Sequence, residues 1–391
     1  MKNKETFVII VFVVLSLFVA NMVWQHHQSI LVRTSTYPSI LKTQSATNTT
    51  SVKLMTLTDT TTSTEREQPV TNASPARYII YECTKNGLCG GWSDRLRGIV
   101  SSYLISLITN RTFGISITAP ACNLTDYFEP HLIDWNIDLD RLKNLPSKRI
   151  SHMDNGLFFR TADTKNFSAL MKETVIYYRQ NYEFIPRLQE SAFHASDFLW
   201  MKKWTRDRVF AHVMRILFKL KNSLKKVLID FINKAKPDKR WKLMCAHIRL
   251  GRNPTIPNDS EQRNTNETIK EIWDFITKNF TCDLCKIFIA TDSEDVRQKA
   301  KRLFPDKIVD IPGDIVHIER GKMKDRCDAF TKVILDQQVL SKCDSLILTK
   351  SGFGIIAAYL RGTEENLFCS ANKQIVKCTP NTFNTVFGIS G

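Results

Sequence analysis

The sequence lacks a second C-x-x-C pair beside the one in "CDLC", Cys282 to Cys285. Structural zinc sites usually take four cysteine or histidine ligands, so a lone pair argues against zinc and predicts a disulfide-bonded loop before a strand. No cysteine is left over either, because the chain has 10, an even number that can pair completely in an oxidising compartment. The sequence leaves their connectivity open. No metal is expected.

Acidic residues are also scarce: 39 Asp and Glu stand against 55 Lys and Arg, a formal net charge of +16. Such a surplus is compatible with nucleic acid, an anionic membrane surface or small anions. The choice among these depends on the compartment that the chain occupies.

Residues 7–24 form an apolar run interrupted only by Ser16 and Asn21, long enough as a helix to cross a bilayer. A cleaved signal peptide is the alternative, but cleavage after Ala20 would place the bulky Phe18 where a small residue is needed. Lysines in residues 1–6 predict a cytosolic tail. We therefore expect a signal anchor and a single-pass type II membrane protein.

Residues 25–77 contain one aromatic residue, Tyr37, and show no helical or strand periodicity. Of these 53 residues, 20 are serine or threonine. This composition cannot bury a core and predicts a stem, plausibly O-glycosylated. Lumenal exposure is supported by eight N-x-[ST] acceptors. They are Asn48, Asn72, Asn110, Asn123, Asn166, Asn258, Asn266 and Asn279. A lumenal chain, which we expect in the Golgi rather than in the endoplasmic reticulum, meets no nucleic acid, so its positive charge suits nucleotide diphosphates, acidic glycans or lipid headgroups.

The folded part begins near Tyr78 with a strand, a glycine loop, a helix and a second strand. Apolar residues recur at helical spacing from Leu96. Ser93 is expected to cap this helix, Asp94 suits the positive end of its dipole, and Gly90 and Gly91 let the backbone approach a ligand. A tight turn with a purely structural cap is the alternative.

The remaining elements suggest two α/β halves, residues 78–240 and 241–391, with a crevice between them. In the first half we expect helices over 170–178 and 192–200, and one amphipathic helix over 208–234 with a lysine-rich outer face. Strands and helices then alternate through the second half, which predicts a mostly parallel sheet covered on both faces.

Three strand-to-helix junctions of the second half carry polar groups where an open α/β sheet binds ligands. "AHIRLGRN" provides His247 and Arg249, whose guanidinium suits a phosphate, and "IATDSED" provides Asp292. The third, "LTKSGFG", places an aromatic ring at a helix start that can bind an anion. Its residues are Ser351, Gly352 and Phe353. A surface arginine and a simple Asp-Ser cap are the alternatives at the first two.

Four stretches in this order, "GGWSDRLRGIVSSYLISLITNRTF", "HIRLG", "ATDSEDVRQKAKRLF" and "SGFGIIAAYL", resemble the superfamily of α1,2-, α1,6- and protein O-fucosyltransferases. The resemblance implies two Rossmann-like lobes (the glycosyltransferase B fold), with the acceptor on the first and the nucleotide sugar on the second. It also implies a GDP-fucose donor, transfer with inversion to a glycan or glycoprotein hydroxyl, and no cofactor.

The resemblance further implies roles for individual residues. Arg249 would contact the diphosphate beside His247, Asp292 would hold the nucleotide, and the turn at Ser351, Gly352 and Phe353 would bind phosphate. Gly90, Gly91 and Asp94 would face the donor sugar. Many members have H-x-R-R-x-D, where this chain has Leu250 for the second arginine and Asn253 near the place of the acid, so the branch of the family stays open.

We expect Arg249 to stabilise the departing diphosphate and Asp94 to act as general base, with Glu319 as second choice. Two other functions remain open. "IDLD" provides an Asp138 and Asp140 pair typical of metal-dependent glycosyltransferases, and the stem, acceptor sites and cysteines equally suit a membrane-tethered glycan-binding protein. The sequence does not identify the acceptor.

Overall fold

The computed structural model describes residues 76–85, 87–253, 259–280, 282–319 and 326–388. The expected cytosolic tail, the membrane anchor and all but the last residues of the stem lie outside these ranges, as do Asn48, Asn72 and Asn258. Within the described part of the chain, no helix is both long and apolar enough to cross a bilayer.

The first half is built on a four-stranded parallel sheet in the order β2-β1-β5-β4. A separate short antiparallel pair joins β3 to β6. The strands are β1 Tyr78–Cys83, β2 Thr112–Ile117, β3 Phe128–Pro130, β4 Ser147–Ser151, β5 Val175–Arg179 and β6 Phe218–Leu220. The helices are α1 Trp92–Ile108, α2 Gly156–Arg160, α3 Phe167–Leu170, α4 Ile185–Gln189, α5 Arg206–Leu217 and α6 Asn222–Ala235.

The first strand, helix and second strand confirm the unit predicted from the sequence, but the helix starts earlier than expected. Gly91, not Ser93, is the N-cap, and Ser93 lies inside the first turn. The Asp94 carboxylate accepts a hydrogen bond from the Gly91 N–H at 2.9 Å. Capping here comes from an acid reaching back to the loop, which leaves Ser93 without that role.

The helix expected over 170–178 is wrong, because β5 lies there between β1 and β4. Its residues, "VIYYR", are β-branched and aromatic, and Val175, Ile176 and Tyr178 are fully buried. Such side chains fit a central strand better than a surface helix. The segment 192–200 is a series of turns and also differs from the expected helix.

The single helix expected over 208–234 is divided into α5 and α6 by the short strand β6. The Phe218 ring packs 5.1 Å from Phe128 and 5.5 Å from Trp135. Extended backbone brings Phe218 into this aromatic cluster, so tertiary packing overrides a sequence period that runs unbroken through both helices.

The second half is built on a six-stranded sheet in the order β12-β11-β10-β7-β8-β9, parallel except for β12. The strands are β7 Lys242–Ile248, β8 Cys285–Thr291, β9 Ile308–Val309, β10 Ser345–Leu348, β11 Leu367–Ala371 and β12 Gln374–Lys377. The helices are α7 Asn266–Asn279, α8 Glu294–Leu303, α9 Arg326–Leu340, α10 Gly352–Arg361 and α11 Phe383–Phe387. This alternation confirms the α/β class predicted for both halves.

All 10 cysteines form disulfides, as the even count predicted. The pairs are Cys83–Cys89, Cys122–Cys327, Cys245–Cys343, Cys282–Cys285 and Cys369–Cys378. The C-x-x-C pair closes a loop before β8, as expected. Cys122–Cys327 joins the two halves covalently, a connection that spacing alone did not reveal.

Candidate active site

A cavity of about 390 Å³ lies where the carboxyl ends of β7 and β8 face the start of α1. The nine residues predicted from the sequence for catalysis or donor binding all line it. They are Gly90, Gly91, Asp94, His247, Arg249, Asp292, Ser351, Gly352 and Phe353. The structure therefore brings both halves of the predicted site together, while the role of each residue stays a prediction.

The Arg249 guanidinium is held by two carboxylates. One of its nitrogens donates to Asp259 at 2.5 Å and to the Ser260 hydroxyl at 2.9 Å, and the other donates to Asp292. The side chains of Arg249 and Asp259 are only 12% and 1% exposed. Burial opposes ionisation of Asp259, but the hydrogen bonds from Asn253 and Arg249 outweigh it and lower the pKa of this carboxyl. Arg249 is thus fixed in place at the cavity wall.

The Asp292 carboxylate is engaged by the loop that follows β7. It accepts from the backbone N–H of Leu250 at 2.6 Å and from that of Gly251 at 2.8 Å, in addition to Arg249. Because three protein donors already meet its two oxygens, the carboxylate shapes the Arg249 loop in this structure. The family resemblance implies that Asp292 also helps to hold the nucleotide, which stays a prediction.

His247 and Phe353 form the inner wall, with ring centroids 5.3 Å apart. Burial, together with the neighbouring Arg249 charge, lowers the pKa of His247 to about 3, so this imidazole is neutral at physiological pH. The Ser351 hydroxyl caps α10 by accepting from the Phe353 N–H at 3.4 Å. The first turn of α10 therefore faces the cavity, as predicted.

The glycine loop forms the opposite wall. Gly90 has φ of +77°, a conformation that a side chain disfavours. Asp94 is a third exposed and lies 3.6 Å from Arg97. Burial raises its pKa, while Arg97 and the Gly91 N–H act in the opposite direction. A carboxylate of raised pKa at the edge of a cavity is a candidate general base, and this role of Asp94 stays a prediction.

Several charged side chains and one histidine at the cavity were not singled out from the sequence. They are Arg97, Arg263, Asp314, His317, Lys332 and Asp336. The Lys332 ammonium donates to the Ile311 carbonyl at 2.8 Å and to Asp336 at 3.1 Å, and burial raises the pKa of Asp336 to about 7. The i, i+4 spacing of Lys332 and Asp336 is visible in the sequence, but no sequence pattern predicts that α9 lies beside the cavity.

Asp138 and Asp140 lie away from the cavity, on a surface turn. Asp138 pairs with Arg141 at 3.2 Å and Asp140 with Lys143 at 2.7 Å, and the two acids are 56% and 79% exposed. Neither lines the cavity, so the pair does not meet the groups predicted to bind a nucleotide.

The glycosylation candidates within the described ranges all lie at the surface. They are Asn110, Asn123, Asn166, Asn266 and Asn279. Their exposure is compatible with modification, which stays a prediction.

Comparison with known proteins gives a result at the level of structure alone. No family profile and no curated protein matches the sequence. The structure is similar to an arginine-to-lysine mutant of Arabidopsis thaliana FUT1 in complex with GDP, with a TM-score of 0.53, 14% identity, and coverage of 76% of this chain and 72% of that one. The chain has the fold of that plant fucosyltransferase.

Bacterial structures superpose more loosely. The fucosyltransferase NodZ from Bradyrhizobium gives a TM-score of 0.49 at 13% identity, with 78% of this chain and 99% of that chain covered. The NodZ α-1,6-fucosyltransferase soaked with GDP-fucose gives 0.47 at 14% identity, with 78% and 100% covered. At such identities, a shared fold is what the similarity to FUT1 establishes.

Proposed function

We propose that this protein is a glycosyltransferase that transfers fucose from GDP-fucose to a hydroxyl group of a glycan or glycoprotein, with inversion. The observation that carries the proposal is the convergence of the nine predicted residues on one cavity. The shared fold supports it, since the Arabidopsis structure contains GDP.

The donor diphosphate would lie between Arg249 and the start of α10. The hydrogen bonds to Asp259, Ser260 and Asp292 use three of the five guanidinium N–H donors, so donors remain for phosphate oxygens. The first amides of α10 supply further donors at the positive end of a helix. As the bond between fucose and phosphate breaks, negative charge grows on the diphosphate, and these fixed donors would stabilise it.

Asp94 would act on the acceptor from the opposite wall. Its raised pKa makes it a stronger base than an exposed aspartate, and its bond to Gly91 fixes its direction. A base on one side of the sugar and a leaving group on the other give inversion. The acceptor hydroxyl would therefore attack from the first half of the molecule.

The proposed topology follows from the sequence. Residues 7–24 would anchor the chain in the Golgi membrane, residues 25–77 would form the stem, and the lobes 78–240 and 241–391 would lie in the lumen. We propose that the reaction needs no metal, because the proposed charge stabilisation comes from Arg249 and helix amides.

The proposal is tested by incubating the secreted fragment from residue 78 with a panel of GDP and UDP sugars and measuring released nucleotide. We expect release from GDP-fucose above the other donors, unchanged by EDTA. Loss of activity in EDTA would favour the metal-dependent alternative. Absence of both release and GDP binding in calorimetry would favour a glycan-binding protein.

A further inference from the structure

A carboxylate from the second half binds the glycine loop of the first. The side chain of Glu319 accepts hydrogen bonds from two consecutive backbone amides, those of Cys89 and, at 2.8 Å, of Gly90. Glu319 belongs to the segment 310–319 that follows β9. This contact therefore crosses the crevice at the edge of the cavity.

The segment that carries Glu319 is itself fixed to the second half. The buried Lys332 ammonium of α9 donates to the Ile311 carbonyl at 2.8 Å, and Arg297 of α8 donates to the Gly313 carbonyl at 2.9 Å. Both cations lie on helices that pack on the second sheet. Glu319 thus lies six residues beyond Gly313 on a segment that is hydrogen-bonded to the second half.

On the other side of the contact, the same loop is bonded to Asp94. The amide of Gly91, next in sequence, donates to the Asp94 carboxylate at 2.9 Å. The Arg95 side chain donates to the Gly90 carbonyl at 3.1 Å, and the disulfide Cys83–Cys89 ties the loop to the end of β1. Three consecutive amides thus bind two carboxylates, one from each half.

We propose that Glu319 is a positioning residue that holds the glycine loop, and through it Asp94, at a fixed place relative to the donor-binding half. This inference rests on the proposed function. Glu319 contacts no reacting atom in this account. It acts by hydrogen bonding to the loop from which Asp94 is directed.

The charges around Asp94 give the proposal a second readout. The groups around it are Arg95 and Arg97 from its own helix, Tyr81 from β1, Arg263 from the loop before α7, and His317 and Glu319 from the segment 310–319. Burial is the main cause of its raised pKa, and the negative charge of Glu319 adds to the rise. Removing that charge should lower the pKa of Asp94.

Two variants of Glu319 separate the effect of its hydrogen bonds from the effect of its charge. Glu319→Gln keeps an oxygen that accepts from both amides but removes the charge, whereas Glu319→Ala removes both. We expect Glu319→Ala to lower kcat roughly 10- to 100-fold, with GDP affinity within about 3-fold of wild type. Glu319→Gln should keep most of kcat, and the acid limb of its pH profile should move down by roughly 0.3–1 pH unit. Asp314→Asn is the matched control. It removes one negative charge from the same segment and cavity wall but leaves the hydrogen bonds between Glu319 and the loop in place.

Hydrogen exchange of the Cys89 and Gly90 amides provides a readout that is independent of activity. Protection should fall in Glu319→Ala and persist in Glu319→Gln and Asp314→Asn, even if the protein transfers no fucose. Wild-type kcat in Glu319→Ala would overturn the proposal. A tenfold gain in GDP affinity in Glu319→Ala would also overturn it, since Glu319 would then block the site. So would a folded Glu319→Gln that loses as much kcat as Glu319→Ala, since Glu319 would then be the base.

Discussion

Two walls of the cavity, the Arg249 wall and the glycine-loop wall, each contain a carboxylate that binds two consecutive backbone amides. The two carboxylates come from different places in the fold. On one wall, Asp292 binds the consecutive amides of Leu250 and Gly251 in the loop after β7. On the other wall, Glu319 binds the consecutive amides of Cys89 and Gly90. Asp292 directly follows β8, the neighbour of β7 in one sheet, whereas Glu319 comes from the half of the molecule opposite the loop that it binds.

The two walls therefore differ in which parts of the molecule they need in order to form. The Arg249 wall is assembled within one sheet, so its geometry follows from the second half alone. The glycine-loop wall takes its shape from both halves. Changes at the first wall should therefore act on stability and donor binding, and changes at the second on turnover.

The largest effect is expected at the glycine-loop wall from Asp94→Asn. An asparagine oxygen can still accept from the Gly91 N–H, so the helix start is preserved while the base is lost. Turnover with GDP-fucose should fall roughly 10²- to 10⁴-fold with GDP affinity retained. Asp295→Asn, in the first turn of α8, controls for the helix dipole. Normal turnover with a lowered melting temperature would leave Asp94 a structural role only.

At the other wall, Arg249→Ala should act on folding as well as on GDP binding. It removes the guanidinium that pairs with the almost fully buried Asp259 and with Asp292. We expect the free energy of unfolding to drop by about 3–5 kcal/mol, measured by urea denaturation. Arg249→Lys keeps the positive charge but loses the fork that contacts both carboxylates. Its free energy of unfolding should therefore drop less than that of Arg249→Ala.

The double variant Arg249→Ala with Asp259→Asn is the matched control, because it also neutralises one of the two carboxylates that the guanidinium contacts. Part of the lost stability should return while GDP affinity stays low. Full stability in the single variant would mean that the two carboxylates do not depend on Arg249.

The sequence predicted the elements whose signals are local. The glycine loop, its helix and the junctions at Arg249, Asp292 and Ser351 each combine a period with a characteristic polar residue. They lie at the carboxyl ends of strands, so general rules of α/β sheets were sufficient to bring them together.

What the sequence did not predict depends on contacts between distant segments. Residues 218–220 continue a helical period, yet Phe218 packs against Phe128 and Trp135 and the helix breaks. Glu319 was only a second candidate for the base, because its partners Cys89 and Gly90 are 230 and 229 residues away. Local patterns carry no information about such pairs.

The disulfide Cys122–Cys327 tests the dependence of the glycine-loop wall on both halves. Replacing both cysteines by serine should lower the free energy of unfolding by about 2–4 kcal/mol, because the bond closes a long loop with a sequence separation of 205. Turnover should fall more than GDP affinity. Removing Cys369–Cys378, with a separation of 9, is the control within the second half. If GDP affinity falls as far as turnover, the two walls are not separable.

The smallest effects are expected from a matched pair of glycines, one on each wall. Gly90 and Gly251 have φ of +77° and +74°, so alanine costs about 1–2 kcal/mol of backbone strain at either. An alanine Cβ at 251 would also clash with the backbone carbonyl of Glu261, more closely than one at 90 would clash with the Cβ and carboxylate of Asp94. Gly251→Ala should therefore destabilise more, as measured by urea denaturation.

Turnover should respond in the opposite order, because the Cβ in Gly90→Ala pushes on the carboxylate proposed as the base. The Asp94 carboxylate can turn away only by losing its direction, and its Cβ can yield only if the start of α1 moves. Equal losses of stability and of turnover in the two variants would show that strain at each glycine is the whole effect. The walls would then differ in sequence position and not in how they are held.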